Sequence, residues 1–541
     1  MRPLCREEET ALFRIGSGSM PAIMNKTGDW RFATPVKREK TAPCRAACPL
    51  HNNIAHWVGQ VKNGDMAAAW EILSRSNPFP AITGYVCYNF CQEKCNRQEY
   101  DEAVAIGELE KQVGLWRHKQ FALSPPGPAT GRELPARVAV VGAGPAGLAC
   151  AYYLRALGVQ VVVLERERVA GGLLAWGIPE YRLPRDVLAQ EIQLLLNMGV
   201  NFRFGVELNR DITLSVLEED YDAVFLATGA AEEKELGVAG EKLSGVYGAL
   251  QYLRTVHLGD AVPEGQNVVV VGGGNAAIDA ACTARLRGAE VVVVYRRSRE
   301  AMPAHPEEVR AAEEAGVQFL FQVAPQAVLG ENSVEQIQLV RTAAESRERP
   351  VRIIPNSGFT LDCDTVLVAV GQKPQYEALG SGVVINSASP VTGKTGVFAG
   401  GDLSTGPATV AAAIAAGREG ARSIAGYLEI GSQSDTEAVF AEVLGRSEPV
   451  SEFRPVNPFL YPRSKQSANP QEEAGRCQSC GQCNGCSVCW LFCPDMAVLE
   501  GEADCRLELE YCKGCGICVR ECPAGVLEME VGLGDKEDHH G

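Results

Sequence analysis

The chain has 541 residues, enough for about three or four domains, and its hydrophobic and charged fractions of 46% and 22% are ordinary for globular proteins. The formal net charge is −16, and residues 431–541 contain 19 acidic against 9 basic side chains, which argues against binding to nucleic acid or to an anionic membrane surface. The 20 cysteines occur in clustered spacings without a secretory signal, so they predict metal binding in the reducing cytoplasm rather than disulfides.

The first part of the chain carries little pattern. Residues 1–30 are charged and are predicted to be an N-terminal tail. No transmembrane segment is predicted, because uncharged stretches such as 138–154 and 403–417 contain glycines and are too short to span a bilayer.

A dinucleotide-binding unit is predicted to begin near residue 137. An apolar strand leads into a turn with Gly142, Gly144 and Gly147, a helix follows, and a second strand ends in Glu165. The glycines permit a tight turn close to a ligand, the helix N-terminus faces a pyrophosphate, and the acid binds ribose hydroxyls. A structural turn is the alternative, but the position of Glu165 at the expected ~20-residue offset favours the dinucleotide.

A second unit of the same kind follows the apolar strand that begins at Asn267. Its turn contains Gly272, Gly274 and Asn275, and its next strand is followed by Arg296 and Arg297 instead of an acid. An arginine fork binds a 2′-phosphate that an acid would repel, so this unit is predicted to prefer NADP over NAD. Surface charge is the alternative explanation for the two arginines.

Asp402 and Thr409 follow a third short apolar strand. Asp402 can accept a hydrogen bond from a ribityl hydroxyl, and a helix that opens at Thr409 can stabilise charge on a reduced flavin. A structural turn before a packed helix is again the alternative. Gly371 closes an apolar strand where the chain returns from the second unit to the first, and it is included among the predicted cofactor-binding positions. The NAD(P) domain is therefore predicted to be inserted in the FAD domain.

The last part of the chain repeats one cysteine spacing. Residues 431–474 are polar and Pro-containing and are predicted to be an extended linker. Two Cys-x2-Cys-x2-Cys-x3-Cys-Pro runs then follow, formed by Cys483, Cys486, Cys489 and Cys493, and by Cys512, Cys515, Cys518 and Cys522. This doubled run is typical of two 4Fe–4S clusters, each of which takes its fourth thiolate from the other run. A zinc ribbon would leave the Cys-x3-Cys-Pro halves unexplained.

The register of the first run is open to choice. Cys477 and Cys480 extend the two-residue spacing upstream, but only the register beginning at Cys483 reaches Cys493-Pro with three residues between the last two cysteines. Cys505 and four other isolated cysteines are predicted to be packing or surface thiols.

Residues from about 27 to 430 resemble the small subunit of NADPH-dependent glutamate synthase and its relatives, including the electron-input half of dihydropyrimidine dehydrogenase. The motifs that carry the resemblance are Ala-Pro-Cys44-Arg-Ala-Ala-Cys48-Pro, Gly-Tyr-Val-Cys87-x3-Cys91-x3-Cys95, the segment 171–184, Gly272-Gly-Gly-Asn-Ala-Ala-Ile-Asp279 and Tyr295-Arg-Arg-Ser-Arg-Glu-Ala-Met-Pro303. The ferredoxin segment resembles the ferredoxin-like subunit of 2-oxoacid:ferredoxin oxidoreductases. The resemblance implies that FAD contacts Gly172, Leu173 and Arg182, and that Arg296 and Arg297 face the NADP phosphate.

The resemblance also implies an N-terminal iron–sulfur domain. Relatives bind two clusters there, one of them through a CxxC pair whose positions are occupied here by Val36 and Glu39. One 4Fe–4S cluster is therefore expected, with four implied ligands: Cys48, Cys87, Cys91 and Glu110. Cys44 and Cys95 are left as substitute ligands or as thiols without a role, and five structural thiols in a helical domain are the alternative.

The predicted fold is a multidomain α/β protein. Its parts are a helical Fe–S domain (31–130), an FAD domain (131–262 and 364–430), an inserted Rossmann-like NAD(P) domain (263–363), the linker (431–474) and an α+β two-cluster ferredoxin domain (475–535). No catalytic side chain is named, because hydride transfer between nicotinamide and flavin is the chemistry of the cofactors.

The predicted function is an NAD(P)H:acceptor oxidoreductase subunit that exchanges electrons with a partner subunit of a redox complex or with ferredoxin. A glutamate-synthase small subunit that delivers NADPH electrons to an amidotransferase-type subunit is the alternative. A non-catalytic electron-wiring subunit is the third possibility, and the intact glycine turns argue against it.

Overall fold

The structure is a computed structural model. It describes residues 28–121, 133–230, 232–260, 265–343, 350–379, 382–430, 439–440, 450, 456, 462–501 and 504–531. The chain divides into two compact units: Met1–Ala69 with Asn89–Ile106 and Val443–Gly541, and Trp70–Tyr88 with Gly107–Glu442. The predicted N-terminal tail and most of the predicted linker lie outside the described residues.

The larger unit is formed by Trp70–Tyr88 and Gly107–Glu442. It contains a parallel five-stranded sheet whose strands come from both parts of the predicted FAD domain. Its strands, in spatial order, are Val397–Ala399, Ala223–Leu226, Arg137–Val141, Gln160–Glu165 and Asn201–Phe204. The central strands are runs of apolar residues buried along nearly their whole length, as a parallel sheet covered on both faces requires. The helices of this part are Pro145–Ala156, Leu173–Trp176, Arg185–Asn197, Leu214–Asp220, Asp402–Thr405 and Val410–Tyr427.

A second parallel sheet forms the predicted NAD(P) domain. Its strands, in spatial order, are Gln318–Phe321, Glu290–Tyr295, Asn267–Gly272, Thr365–Ala369 and Val246–Gly248. The helices beside it are Ala249–His257, Asn275–Leu286 and Pro306–Glu314. The boundary predicted at residue 363 differs from this sheet, because the buried apolar strand Thr365–Ala369 pairs on both sides within it and so belongs to the inserted domain.

Smaller elements complete the larger unit. An antiparallel sheet is formed by Val323–Leu329, Gln336–Ala343, Arg352–Ile353 and Phe359–Asp362. Glu232–Glu233 pairs antiparallel with Gln372–Lys373 where the chain leaves and re-enters the first sheet. The remaining helical segments are Met66–Ser74, which begins in the smaller unit, and Pro80–Val86, Ile106–Phe121 and the 3₁₀ turn Tyr376–Leu379.

The smaller unit, Met1–Ala69 with Asn89–Ile106 and Val443–Gly541, joins both ends of the chain. Strand Ala33–Lys37 pairs antiparallel with strand Leu527–Val531, and Val498–Glu500 pairs with Cys505–Leu507. The helical segments are Gly28–Trp30, Pro43–Ala47, Ile54–Lys62, Phe90–Glu93, Asn96–Glu99, Pro470–Gly475, Val488–Leu491, Leu509–Tyr511 and Ile517–Glu521. The sequence predicted a ferredoxin domain separated by a linker, whereas the structure packs it with the N-terminal helices in one unit.

A buried network of charges fixes the segment before Cys477. The Arg97 guanidinium donates to Asp101 at 2.6 and 2.7 Å, and Arg476 donates to Asp101 at 3.2 Å and to Glu473 at 2.7 Å. Arg97 also donates to the carbonyl oxygen of Arg476 at 3.1 Å. Burial alone would raise the pKa of Asp101, but the hydrogen bonds from Arg97 and from the Ser464 backbone hold it well below its usual range.

The segment that carries this network begins with a capped turn. Asn469 accepts hydrogen bonds from the backbone N–H groups of Gln471 and Glu472, and Pro470 occupies the first helical position. In the part of the chain that the structure describes, no helix combines the length and the apolar character needed to cross a bilayer.

The packing of two helices in the larger unit can be tested at a glycine. A Cβ at Gly417, in helix Val410–Tyr427, would lie 2.1 Å from the carbonyl oxygen of Ala146 in helix Pro145–Ala156. We expect Gly417→Ala to destabilise the protein by about 1–3 kcal/mol, because the helices must separate. Gly426→Ala in the same helix is the matched control, since a Cβ there meets no atom within 4 Å. Thermal unfolding should show a lower midpoint for the first variant only, and equal midpoints would contradict this packing.

Candidate cofactor sites

Most of the predicted FAD-binding residues line one cleft, at the carboxyl ends of the strands in the sheet of the FAD domain. Its cavity volume is about 330 Å³, and the predicted positions among its lining residues are Gly142, Gly144, Glu165, Gly172, Leu173, Asp402 and Thr409. Ligands of open parallel sheets bind outside the carboxyl ends of the strands, so the position of the cleft fits a dinucleotide.

The three glycines of the first turn meet different surroundings. Gly142 has φ +106°, and a Cβ there would lie 2.4 Å from the carbonyl oxygen of Ala227. A Cβ at Gly147 would lie 1.9 Å from the carbonyl oxygen of Gly142. Gly144 has no neighbouring atom within 4 Å of a built Cβ, and it lines the cleft. Gly142 and Gly147 therefore allow close packing, and Gly144 leaves space at the N-terminus of helix Pro145–Ala156 for a pyrophosphate.

Glu165 is buried at the end of its strand. Its carboxylate accepts hydrogen bonds from the backbone N–H of Ala143 at 2.7 Å and of Glu167 at 2.9 Å. Burial raises its pKa, and these two N–H groups offset part of that effect. Each carboxylate oxygen has a second lone pair, so the Glu165 carboxylate can still accept hydrogen bonds from ribose hydroxyls.

Asp402 and Thr409 lie on the other side of the same cleft. Asp402 accepts a hydrogen bond from the backbone N–H of Ala408 at 3.1 Å, and burial raises its pKa to about 6. The Thr409 hydroxyl accepts from the backbone N–H of Ala412 at 3.2 Å and so caps helix Val410–Tyr427. The positive end of an 18-residue helix therefore faces the cleft.

Arg182 and Gly371, two other predicted cofactor-binding positions, are not among these lining residues. Nη1 of Arg182 donates to both carboxylate oxygens of Asp279, at 2.8 and 2.9 Å, and Nη2 pairs with Glu308 at 2.5 Å. The guanidinium is therefore committed to two carboxylates of the inserted domain, which the sequence motif did not indicate. Gly371 lies beyond the end of strand Thr365–Ala369 with φ +117°, and the nearest atoms to its built Cβ belong to Lys234.

The second glycine turn repeats the geometry of the first. Gly272 has φ +157°, and a Cβ there would lie 2.4 Å from the carbonyl oxygen of Ala369. Gly274, which precedes helix Asn275–Leu286, has no atom within 4 Å of a built Cβ. The Asn275 side chain accepts a hydrogen bond from the backbone N–H of His305 at 2.9 Å. The open glycine again lies at a helix N-terminus, where a second pyrophosphate would fit.

The two predicted phosphate arginines follow strand Glu290–Tyr295. Arg296 is exposed and Arg297 is half-buried. Their neighbour Arg299 is paired with Glu313 at 2.7 Å. Strand Glu290–Tyr295 therefore ends in Tyr295 where strand Gln160–Glu165 ends in the buried acid Glu165, and the exposed cation Arg296 follows it.

In the structure, each of the two ferredoxin runs contributes its last cysteine to the cavity formed by the other run. One small cavity is lined by three thiols of the first run and the last thiol of the second: Cys483, Cys486, Cys489 and Cys522. Another is lined by the last thiol of the first run and three of the second: Cys493, Cys512, Cys515 and Cys518. This exchange is the arrangement that two 4Fe–4S clusters require.

Cys505 is not the isolated thiol that the sequence indicated. The ligand atoms of Cys483, Asp504 and Cys505 all lie within 4.8 Å of one another. Cys505 also lines the cavity of the first cysteine set. It belongs to the strand Cys505–Leu507, which pairs with Val498–Glu500, and this tertiary pairing explains why the spacing along the chain did not reveal it.

The predicted N-terminal cluster ligands are divided between the two units. Cys48 and Cys91 are buried in the smaller unit, whereas Cys87 and Glu110 belong to the larger unit. The Glu110 carboxylate accepts a hydrogen bond from the Asn77 side chain at 2.7 Å. This ligand set remains a prediction.

Cys44 and Cys95 lie together with the cysteines that the favoured register left out. The four thiols that line one small cavity of the smaller unit are Cys44, Cys95, Cys477 and Cys480. The pKa of Cys477 is raised to about 11 and that of Cys480 to about 12, mainly by burial and in smaller part by neighbouring thiols. The sequence did not bring these four residues together, because about 380 residues separate Cys95 from Cys477.

Comparison with known sequence families agrees with these sites. Residues 136–417 match the pyridine nucleotide-disulphide oxidoreductase family, residues 37–121 match dihydropyrimidine dehydrogenase domain II with a 4Fe–4S cluster, and residues 507–528 match a 4Fe–4S binding domain. These matches confirm the predicted kinds of cofactor, which are FAD, a nicotinamide dinucleotide and 4Fe–4S clusters.

Three characterised relatives extend the comparison. The beta subunit of an NADP⁺-dependent formate dehydrogenase from Moorella thermoacetica is 40% identical over 434 residues, which are 73% of this chain and 61% of the relative. The beta subunit of an NADPH–Fe³⁺ oxidoreductase from Geobacter sulfurreducens is 36% identical over 79% of this chain and 69% of its own. The small chain of glutamate synthase from Halomonas elongata is 36% identical over 72% of this chain and 88% of its own.

The extent of these matches decides the family. This chain spans less than two thirds of the length of the formate dehydrogenase subunit. The first family match, by contrast, covers more than half of the 541 residues, and most of the glutamate synthase small chain is covered. The chain therefore belongs to the pyridine nucleotide-disulphide oxidoreductase family, among the relatives of the glutamate synthase small chain.

Proposed function

We propose that this chain is an electron-transfer subunit that takes a hydride equivalent from NADPH and passes single electrons through FAD and 4Fe–4S clusters to a partner protein. The observation that carries the proposal is the presence in one chain of a flavin cleft, two open glycine turns and two crossed cysteine sets. The Moorella and Geobacter relatives are named as subunits of NADP-dependent redox enzymes, which supports this function.

Bound FAD would convert two-electron nicotinamide chemistry into one-electron transfer. The residues of this chain would bind and orient it. Gly144 and the N-terminus of helix Pro145–Ala156 would bind the pyrophosphate, and Glu165 would accept hydrogen bonds from the ribose. Asp402 would accept from the ribityl chain, and the helix that Thr409 caps would stabilise negative charge near the flavin ring.

The preference for NADP over NAD is proposed from Arg296 and Arg297. A guanidinium next to the strand end offers hydrogen-bond donors to the 2′-phosphate of NADP. An acid would repel that phosphate, and the strand that carries the buried acid Glu165 belongs to the FAD domain. Gly274 and the N-terminus of helix Asn275–Leu286 would bind the NADP pyrophosphate.

The partner is proposed to dock near the ferredoxin segment. Residues 431–541 carry a ten-charge acidic excess, so a basic surface on a partner subunit or on a ferredoxin would be attracted to it. The high coverage of the glutamate synthase small chain favours an amidotransferase-type partner as the second candidate, but the additional ferredoxin segment favours the first. The cytoplasmic location remains a prediction.

The two glycine turns can be tested as a matched pair. Gly144 and Gly274 both have extended backbones that any residue adopts, and both have open space around a built Cβ. Gly144→Val should therefore preserve the fold but weaken FAD binding by about 1–3 kcal/mol, because the side chain fills the pyrophosphate space. Gly274→Val should retain FAD and weaken NADPH binding by a similar amount. Flavin absorbance and NADPH titration measure the two effects, and loss of both cofactors in both variants would contradict separate sites.

The dinucleotide preference can be tested at Arg296. Replacing Arg296 and Arg297 with Ala should weaken NADPH binding by about 1.5–3 kcal/mol for each lost charged hydrogen bond, with little change for NADH. Arg299→Ala is the control, because Arg299 is already paired with Glu313. Equal losses for NADPH and NADH would show that the arginines do not contact the 2′-phosphate.

The direction of electron exit can be tested at Cys515, the exposed thiol of the second cysteine set. Cys515→Ser should leave FAD bound and NADPH-dependent reduction of a flavin-accepting dye intact, because the flavin cleft belongs to the other unit. Reduction of ferredoxin should be lost, because a cluster ligand is missing. Stopped-flow absorbance follows both steps. Cys363→Ala is the control, because Cys363 belongs to none of the cysteine groups described above. Ferredoxin reduction at the wild-type rate would place the exit elsewhere.

A further inference from the structure

The loop that carries Cys477 and Cys480 is fixed from both sides. The backbone N–H of Lys40 donates to the carbonyl oxygen of Gly481 at 2.9 Å, and the N–H of Gly481 donates to Ala524 at 2.6 Å. Gly481 has φ +79°, and a Cβ there would lie 2.2 Å from the carbonyl oxygen of Lys40. Only glycine fits this approach, so the loop is built to lie against the residues just before Cys44.

The buried charge network of Arg97, Asp101, Glu473 and Arg476 fixes Cys477 relative to Cys95. Arg97 lies two residues after Cys95 and donates to the carbonyl oxygen of Arg476, which immediately precedes Cys477. Arg97 and Arg476 are 2% and 5% exposed. A buried charge without its partners costs several kcal/mol, so the network strongly favours one position of Cys477 relative to Cys95.

The resulting cavity resembles the two cavities of the ferredoxin runs. All three have a volume of about 20 Å³; four cysteines line this cavity and one of the ferredoxin cavities, and the other ferredoxin cavity has Cys505 in addition to its four. The Asn96 side chain lies 3.5 Å from the Cys480 sulfur as a donor. Hydrogen bonds to the ligand sulfurs orient the ligands and tune the reduction potential of iron–sulfur sites.

The spacing of the four thiols favours a cluster over a single ion. Zinc binds thiolates at about 2.3 Å in a tetrahedron, which places the sulfurs about 3.8 Å apart. Among the described residues, the one group of three or more metal-ligating side chains with all ligand atoms within 4.8 Å of one another is Cys483, Asp504 and Cys505. The four thiols are therefore more widely spaced than a single zinc ion requires, as are the crossed ferredoxin sets.

We propose that Cys44, Cys95, Cys477 and Cys480 bind a further 4Fe–4S cluster, in addition to the two clusters of the ferredoxin runs. The ligands come from two helical segments near the N-terminus and from the loop that precedes the ferredoxin runs. The proposal is independent of the electron donor and acceptor, and it assigns a role to the CxxC pair that the ferredoxin register does not use.

The first test measures metal content in anaerobically purified full-length protein. Wild-type protein should contain at least about 12 iron and 12 sulfide ions per chain, four for each of three cubane sites. Cys44→Ser, Cys95→Ser, Cys477→Ser and Cys480→Ser should each lose about four of each and the same Mössbauer component, while FAD remains bound in the other unit. Cys363→Ala is the control and should keep the full content.

Three outcomes would overturn the proposal. They are unchanged iron and sulfide in the Cys477→Ser and Cys480→Ser variants, one zinc per chain at this site, and loss of different spectral components from the four variants. Retained flavin absorbance reports only that the larger unit has folded. Because a substitution could also remove iron by unfolding the smaller unit, a second measurement uses wild-type protein alone.

That measurement is thiol alkylation followed by peptide mass spectrometry. With clusters bound, all four cysteines should resist alkylation, and after iron chelation they should become reactive together. Alkylation of Cys477 or Cys480 in the iron-loaded protein, at the rate of an ordinary accessible thiol, would exclude them as ligands. This readout does not depend on NADPH oxidation, so it can fail while the proposed function holds.

Discussion

The arrangement of the smaller unit depends on a pair of buried arginines that share one carboxylate. Arg97 and Arg476 both donate to Asp101, and Arg476 is held in addition by Glu473. Burying charges is unfavourable unless every partner is present, so the network tolerates few alternative positions. It connects the segment after Cys95 with the segment before Cys477, and the strand pairing of Ala33–Lys37 with Leu527–Val531 extends the same connection. Both cysteine-rich regions are thereby held in one compact unit.

The larger unit repeats one solution for two ligands. In each parallel sheet, one glycine with positive φ approaches the backbone of the neighbouring strand, and a second glycine leaves space at a helix N-terminus. The two domains differ where the next strand ends, with buried Glu165 in one and Tyr295, followed by exposed Arg296, in the other. A carboxylate accepts hydrogen bonds from ribose hydroxyls and a guanidinium donates to phosphate, and the proposed difference in ligands rests on this contrast.

The sequence predicted the parts of the fold that local patterns determine. Both glycine turns, the inserted domain and the crossed cysteine runs follow from short spacings, and the structure brings the members of each group together. The sequence missed contacts between distant segments, such as the commitment of Arg182 to Asp279 and Glu308 and the proximity of Cys505 to Cys483. The resemblance to glutamate synthase directed attention to Val36 and Glu39 as positions without cysteine. Val36 instead lies in a strand that pairs with the C-terminal strand, and the thiols beside Cys44 come from Cys477 and Cys480, which no local spacing connects to it.

The pairing of strand Ala33–Lys37 with strand Leu527–Val531 also has a consequence for biosynthesis. A ribosome releases Ala33–Lys37 long before it has made Leu527–Val531, whereas residues 107–442 of the larger unit are complete earlier. Domains generally fold as units during synthesis, so the flavin-binding unit can fold while the smaller unit still lacks its partner segments. Contacts between distant segments form late because loop closure must precede them. Delivery of iron and sulfide to any site that needs Cys477 and Cys480 must therefore follow translation as far as residue 480, and the nascent thiols Cys44 and Cys95 would need protection from oxidation until then.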